Sequence, residues 1–167
     1  GNGNPEPTFA SRHQVAMPRR VTNRSGKEGA VDHLKLTLEA APKLDTLIIP
    51  GGCGLREPII NRKVAAWVRE KAKTTRRVAS VCTGIYGLAA SGLLDGRRVT
   101  THWRFAQNVA ATFRGVAVHD TGSFINDGKF YTCGGGTAGI EMSLALIQED
   151  CGPRVALRAY RPPRLAH

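Results

Sequence analysis

The residues best placed to do chemistry sit around Cys82, where the run Arg77–Val81 (RVASV) leads straight into Cys82-Thr83-Gly84 and then a stretch of small residues. A strand, a sharp turn and a helix in that order present a side chain at the edge of a sheet, as in a hydrolase nucleophile elbow. A helix amino terminus favours the thiolate of a cysteine placed on it. Crowding at such a turn calls for small neighbours, and Gly84 and Gly87 supply them. Taken alone, Cys82 reads equally well as a small buried hydrophobe.

Two other segments could complete a site. Pro50-Gly51-Gly52 ends an apolar run, and glycine lets backbone amides approach a ligand closely. The amides of Gly52 and Thr83 could together form an oxyanion hole, although a plain loop reads the same letters. Thr100-Thr101-His102-Trp103 follows the next strand, which would bring His102 beside Cys82 as base or orienting group. A single histidine is more often a satisfied structural residue. Thr132-Cys133-Gly134-Gly135-Gly136-Thr137 leads into a late helix, and close packing explains it better than ligand contact.

The elements that must position these residues follow from hydrophobic patterning. Leu44–Ile49 (LDTLII) and Arg77–Val81 read as buried parallel strands, and Arg98–Thr101 (RVTT) as a third. Ile60, Val64, Trp67 and Val68 fall at helical spacing, predicting a helix over about 62–73. Helices are expected over 83–90, 103–113 and 137–148, the last burying Ile140, Leu144 and Ile147. Ala117–Val118 is a short strand candidate. Phe124–Ile125 and Lys129–Thr132 flank Asn126-Asp127-Gly128, a hairpin signal. Only a weak strand candidate, Phe9–Met17, and a polar loop, Val21–Gly29, are legible before residue 43. Strands alternating with helices predict an α/β fold with a mostly parallel sheet and helices on both faces. Ligand chemistry then belongs at the carboxyl ends of the strands.

With 167 residues, the chain suits one domain with a core of its own. Lys and Arg total 24 against 13 Asp and Glu, a net +11 that permits attraction to phosphate. The basic residues are scattered, among them Arg76-Arg77 and Arg97-Arg98, and none lies in a groove-reading motif. They read as a solvated surface, predicting at most weak, salt-sensitive DNA binding. No apolar run approaches the roughly 20 residues of a membrane helix. The four cysteines form no CxxC pair, so reduced thiols and a cytoplasmic location are expected, with no metal and no cofactor. A chain opening on Gly1 suggests a fragment.

Taken in order, these segments resemble a known family. SVCTGIYGLAASGLLDGRRVTTHW (Ser80–Trp103), LDTLIIPGG and DGKFYTCGGGTAGIEMSLALIQED closely resemble the ThiJ/PfpI family, also called class I glutamine amidotransferase-like, over Leu44–Asp150. The resemblance implies a flavodoxin-like sandwich with a nucleophile elbow at Cys82, usually dimeric. It places Cys82 at the nucleophile position, Thr83 and Gly52 at the oxyanion hole, and His102 at the histidine after the elbow. It also points to two subgroups: the amino-terminal sensor domain of AraC-type transcriptional regulators, and isonitrile-hydratase-like enzymes. DGRRVTTHWRFAQNVAATF and FYTCGGGTAGIE look more like the regulators. Family members open with a buried strand carrying an acidic residue, and no segment before Phe9 matches it. The expectation is therefore a single domain, 1–167, lacking that first strand and any DNA-binding region. It would sense an unknown small-molecule effector as a homodimer, with Cys82 reactive but not catalytic. DNA contact would come only through a domain absent from this chain. The alternative is a cysteine-dependent hydratase or amidase.

Overall fold

The computed structural model describes residues 38, 41, 43–120 and 122–160. The strand candidate Phe9–Met17 and the loop Val21–Gly29 lie outside them.

In chain order the elements are β1 (Thr46–Ile49), α1 (Pro58–Ala72), β2 (Arg77–Val81), α2 (Ile85–Ala90) and β3 (Arg98–Val99). There follow α3 (Trp103–Thr112), β4 (Ala117–Val118), β5 (Phe124–Asp127), β6 (Phe130–Cys133), α4 (Thr137–Cys151) and α5 (Pro153–Ala159). The main sheet has the order β1-β2-β6-β5. β1, β2 and β6 run parallel, with Leu47 opposite Val78 and Val81 opposite Cys133; β5 is antiparallel. β2 is thus an interior strand, as expected, and the α/β architecture with a mostly parallel sheet is what the pattern predicted.

Because side chains alternate across a strand, the sheet has two distinct faces. Leu47, Ile49, Val78 and Phe130 join a large core with Val64 and Val68 of α1, Ile85 and Leu88 of α2, and Val109 of α3. Ala79, Tyr131 and Cys133 face the other way, against Ala138, Met142 and Leu146 of α4. Covering both faces explains why β2 is buried almost throughout.

Four sequence expectations need correction. The helix over 62–73 begins earlier, at Pro58, because proline's fixed φ and missing N–H suit a helix's first position. The third strand is only Arg98–Val99, and it pairs with β4 in a separate two-stranded sheet. Thr100 reaches the main sheet instead through its N–H, which donates to Thr132 Oγ1 at 2.9 Å. In α4 the buried stripe is Ala138, Met142 and Leu146, whereas Ile140 is 55% exposed. Both stripes have helical spacing, but small Ala138 and flexible Met142 fit against Tyr131 and Cys133. Finally, of the pair Arg76-Arg77 only Arg76 is exposed, and Arg77 is not solvated surface. Arg77 is 3% exposed and bonds Thr46 Oγ1, Glu149 and Asp150, while Arg76 bridges Asp45 and Asp150. No helix of the described residues is long and apolar enough to cross a membrane.

Candidate functional site

The carboxyl ends of β1, β2 and β6 converge on Cys82. β2 ends at Val81 in extended backbone, and Cys82 turns the chain into a tight 3-10 turn, Cys82–Gly84, that runs on into α2. The φ of Cys82 is +53°, and among the described residues no other non-glycine residue has a positive φ. That region costs an L-residue roughly 1–2 kcal/mol, so the surrounding structure must impose it.

What imposes it is backbone crowding. A Cβ on Gly84 would lie 2.1 Å from the carbonyl oxygen of Ile49, so only glycine lets α2 start this close to β1. A Cβ on Gly51 would meet Cys82 Cβ at 2.9 Å, and one on Gly135 would meet it at 3.3 Å. Cys82 is therefore boxed between the turn after β1 and the turn after β6. Thr101 Oγ1 donates to the Cys82 carbonyl at 2.8 Å and fixes the turn from a third side.

The predicted site residues are brought to this end of the sheet, but not all into contact. Thr83 and Gly52 grip each other: Thr83 Oγ1 donates to Gly52 O, and Gly52 N–H donates to Thr83 Oγ1, both at 2.8 Å. The Gly52 amide assigned to an oxyanion hole is thus occupied by a hydroxyl of the same site. His102 caps α3: its Nδ1 accepts from Arg104 N–H at 3.3 Å. Its ring stacks on Trp103 with centroids 5.5 Å apart and leans on Phe105 at 5.8 Å. Among the described residues, no hydrogen bond joins His102 to Cys82.

Of the four thiols, Cys82 is half-buried, Cys133 is buried, and Cys53 and Cys151 are exposed. Burial pushes the Cys133 thiol above its ordinary range, against the pull of the Gly135 and Cys82 amides. Cys133 stands opposite Val81 in the sheet, directly beneath the turn. Reading from sequence missed Thr101 and Gly135 as shapers of the turn. The doubled threonine before His102 and the triple glycine were the available signals, and a sequence does not show which backbone each meets.

Chemically, this is a thiol held on a strained turn, with the Gly52 amide and the Thr83 and Thr101 hydroxyls beside it already hydrogen-bonded. It can be modified or can contact a ligand. A base aligned on it is not among the bonds formed by the described residues.

Comparison with known proteins agrees with the architecture. The DJ-1/PfpI family matches residues 6–149, reaching further towards the amino terminus than the motifs alone. The isonitrile hydratase of Pseudomonas putida is 40% identical over 116 residues, covering 70% of this chain and 50% of that protein. The HTH-type transcriptional regulator GbdR of Pseudomonas aeruginosa is 35% identical over 164 residues, covering 87% of this chain and 44% of that one. The chain therefore spans about half the length of these relatives. Among solved structures, an AraC family transcriptional regulator from Pseudomonas putida aligns with a TM-score of 0.62 at 20% identity. That alignment covers 72% of this chain and 64% of that one, a likeness of fold.

Proposed function

We propose a sensing rather than a catalytic role, proceeding from the fact that the chain belongs to the DJ-1/PfpI family. In this reading it is the ligand-sensing domain of an AraC-type transcriptional regulator, responding to a small-molecule effector, and Cys82 is reactive without turning over a substrate. The observation that carries the reading is the engagement of His102. Its ring packs on Trp103 and Phe105, and its Nδ1 serves the start of α3. A nucleophilic thiol needs a base within hydrogen-bond reach. The regulator relative, aligned over most of this chain, supports the same reading.

The charge pattern is compatible with DNA contacts made by another part of a longer protein. Arg76, Arg77 and Arg97 are engaged in ion pairs, which takes these three away from phosphate contact. A homodimer in the cytoplasm completes the proposal, and light scattering giving a clean monomer would count against that part.

A second reading is favoured by the 40% identity to an isonitrile hydratase. Cys82 would then add to the isonitrile carbon, and water would release the N-substituted formamide and restore the thiol.

One experiment separates the two. Mass spectrometry after limiting iodoacetamide is expected to find Cys82 modified ahead of the other three thiols, with buried Cys133 last. Proton NMR of the same protein with cyclohexyl isocyanide is expected to show no formamide beyond the blank. Formamide production that disappears in Cys82→Ala would establish the hydratase and end the sensor reading.

A further inference from the structure

A second thiol, Cys133, is carried by the sheet to the elbow. It closes β6 opposite Val81, the last residue of β2, in parallel register. Neighbouring strands lie about 4.8 Å apart and rise about 3.3 Å per residue. Val81 is still extended, with φ −115° and ψ 130°, so Cys82 lies one strand step beyond it. On that lattice the two cysteine Cα atoms are roughly 6 Å apart, within the range of about 4.4–6.8 Å that a disulfide spans.

The turns beyond the strands bring the two closer in character as well as in space. A Cβ on Gly135, two residues past Cys133, would lie 3.3 Å from Cys82 Cβ, so the end of β6 packs on the Cys82 side chain. The N–H groups of Gly135 and Cys82 both lie against the Cys133 sulfur, which aims that sulfur at the elbow. The surroundings of the two thiols differ. Cys82 is half-buried, whereas Cys133 is 0% exposed. An oxidant arriving from solvent therefore meets Cys82 first. Burial keeps Cys133 protonated and out of that first step, and the two amides steady its sulfur once the proton leaves. An accessible thiol with a second thiol poised beside it is the arrangement of a reversible redox pair.

We propose that Cys82 and Cys133 form an intramolecular disulfide when the protein meets hydrogen peroxide. The Cys82 sulfur attacks one peroxide oxygen. An S–O bond forms, the O–O bond breaks, and the other oxygen leaves as water, giving a sulfenic acid. The Cys133 sulfur then attacks the Cys82 sulfur. The S–S bond forms, the S–O bond breaks, and the hydroxyl leaves as water with the Cys133 proton. Two thiols are oxidised by two electrons and one peroxide is reduced to two waters. The bond ties the elbow to the turn after β6 and spares Cys82 irreversible oxidation, and thiol exchange with a small thiol restores both residues. The inference rests on the reactivity of Cys82 proposed above, and it holds for a sensor and for a hydratase alike.

Peptide mapping of the full chain tests it. The reduced protein is treated with one equivalent of hydrogen peroxide, alkylated and cut with trypsin and a glutamate-specific protease, whose cleavage at Glu141 separates Cys133 from Cys151. A linked Cys82–Cys133 peptide is expected, and it should be lost on reduction. Cys133→Ala is expected to lose the link and to carry Cys82 on to sulfinic acid at the same peroxide dose. If that variant does not fold by circular dichroism, the map of the unaltered chain decides. Sulfinic acid on Cys82 with Cys133 still a free thiol would overturn the proposal. So would Cys82 linked to Cys53 or Cys151, or both thiols surviving excess peroxide. Limiting iodoacetamide on the reduced chain reports the reactivity of Cys82 by itself. Fast labelling of Cys82 without a peroxide-induced link to Cys133 sinks the pairing and leaves the sensing reading intact.

Discussion

At the amino ends of β1 and β2, Asp45, Arg76, Arg77, Glu149 and Asp150 form a chain of ion pairs that ties the sheet to the last turn of α4. At the carboxyl ends of the same strands, Gly51, Gly52, Cys82, Thr83 and Thr101 are joined by close backbone approach and hydroxyl bonds. Among the described residues, no ion pair occurs there. One end is fastened by charge on ordinary backbone. The other is fastened by shape, with Cys82 forced to a positive φ. The division separates stability from chemistry. A buried arginine with two carboxylates leaves no room for a ligand, whereas a turn held by backbone leaves its side chain unspent.

The largest expected effect breaks the charged end. Arg77→Leu takes the buried cation from Glu149 and Asp150, although Asp150 keeps Arg76, and each charged hydrogen bond lost costs about 1.5–3 kcal/mol. A melting temperature lower by on the order of 10 °C should result for a domain of this size. A loss within a degree or two would mean that the network is ornamental.

Gly84→Ala attacks the shaped end. Its methyl would have to displace the carbonyl of Ile49, or α2 would have to move, an overpacking expected to cost about 1–3 kcal/mol. The change should also alter the labelling rate of Cys82, which Arg77→Leu should leave alone while the protein remains folded. If both variants alter labelling equally, the two ends are not independent.

The smallest effect is pH dependence, and it belongs to the charged end. The Arg76 hydrogen bond holds the Asp45 carboxyl below its ordinary value of 3.8, and the Arg98 N–H does the same for Asp127. A carboxyl depressed in the folded state stabilises the fold above its unfolded value, and that contribution is lost as pH falls through the folded value. Melting temperature should therefore hold steady down to about pH 4 and decline below it, with the Asp45 share absent in Asp45→Asn. Both groups are open to solvent, so added salt should shrink the effect. A flat profile to pH 3 would remove charge as the fastening of this end.

The strands β1 and β2, the helix carrying Val64 and Val68, and the turn at Cys82 were legible in the sequence. Each rests on a local pattern: an apolar run, a helical period, a small-residue motif after a strand. The hairpin was legible as well, although its strands reach to Asp127 and start again at Phe130, so its two-residue loop is Gly128-Lys129. Tertiary structure alone decided which stripe of α4 is buried, because Ile140-Leu144-Ile147 and Ala138-Met142-Leu146 share one period and only the opposing sheet face distinguishes them. It also decided that Arg77 is interior, since a charge enters the core only where distant partners meet it, here Glu149 and Asp150, over seventy residues away. The same holds for His102 and Gly52. Residue type and spacing brought both to the right end of the sheet, but the partners they bonded, Arg104 N–H and Thr83 Oγ1, depended on side-chain directions that a sequence does not carry.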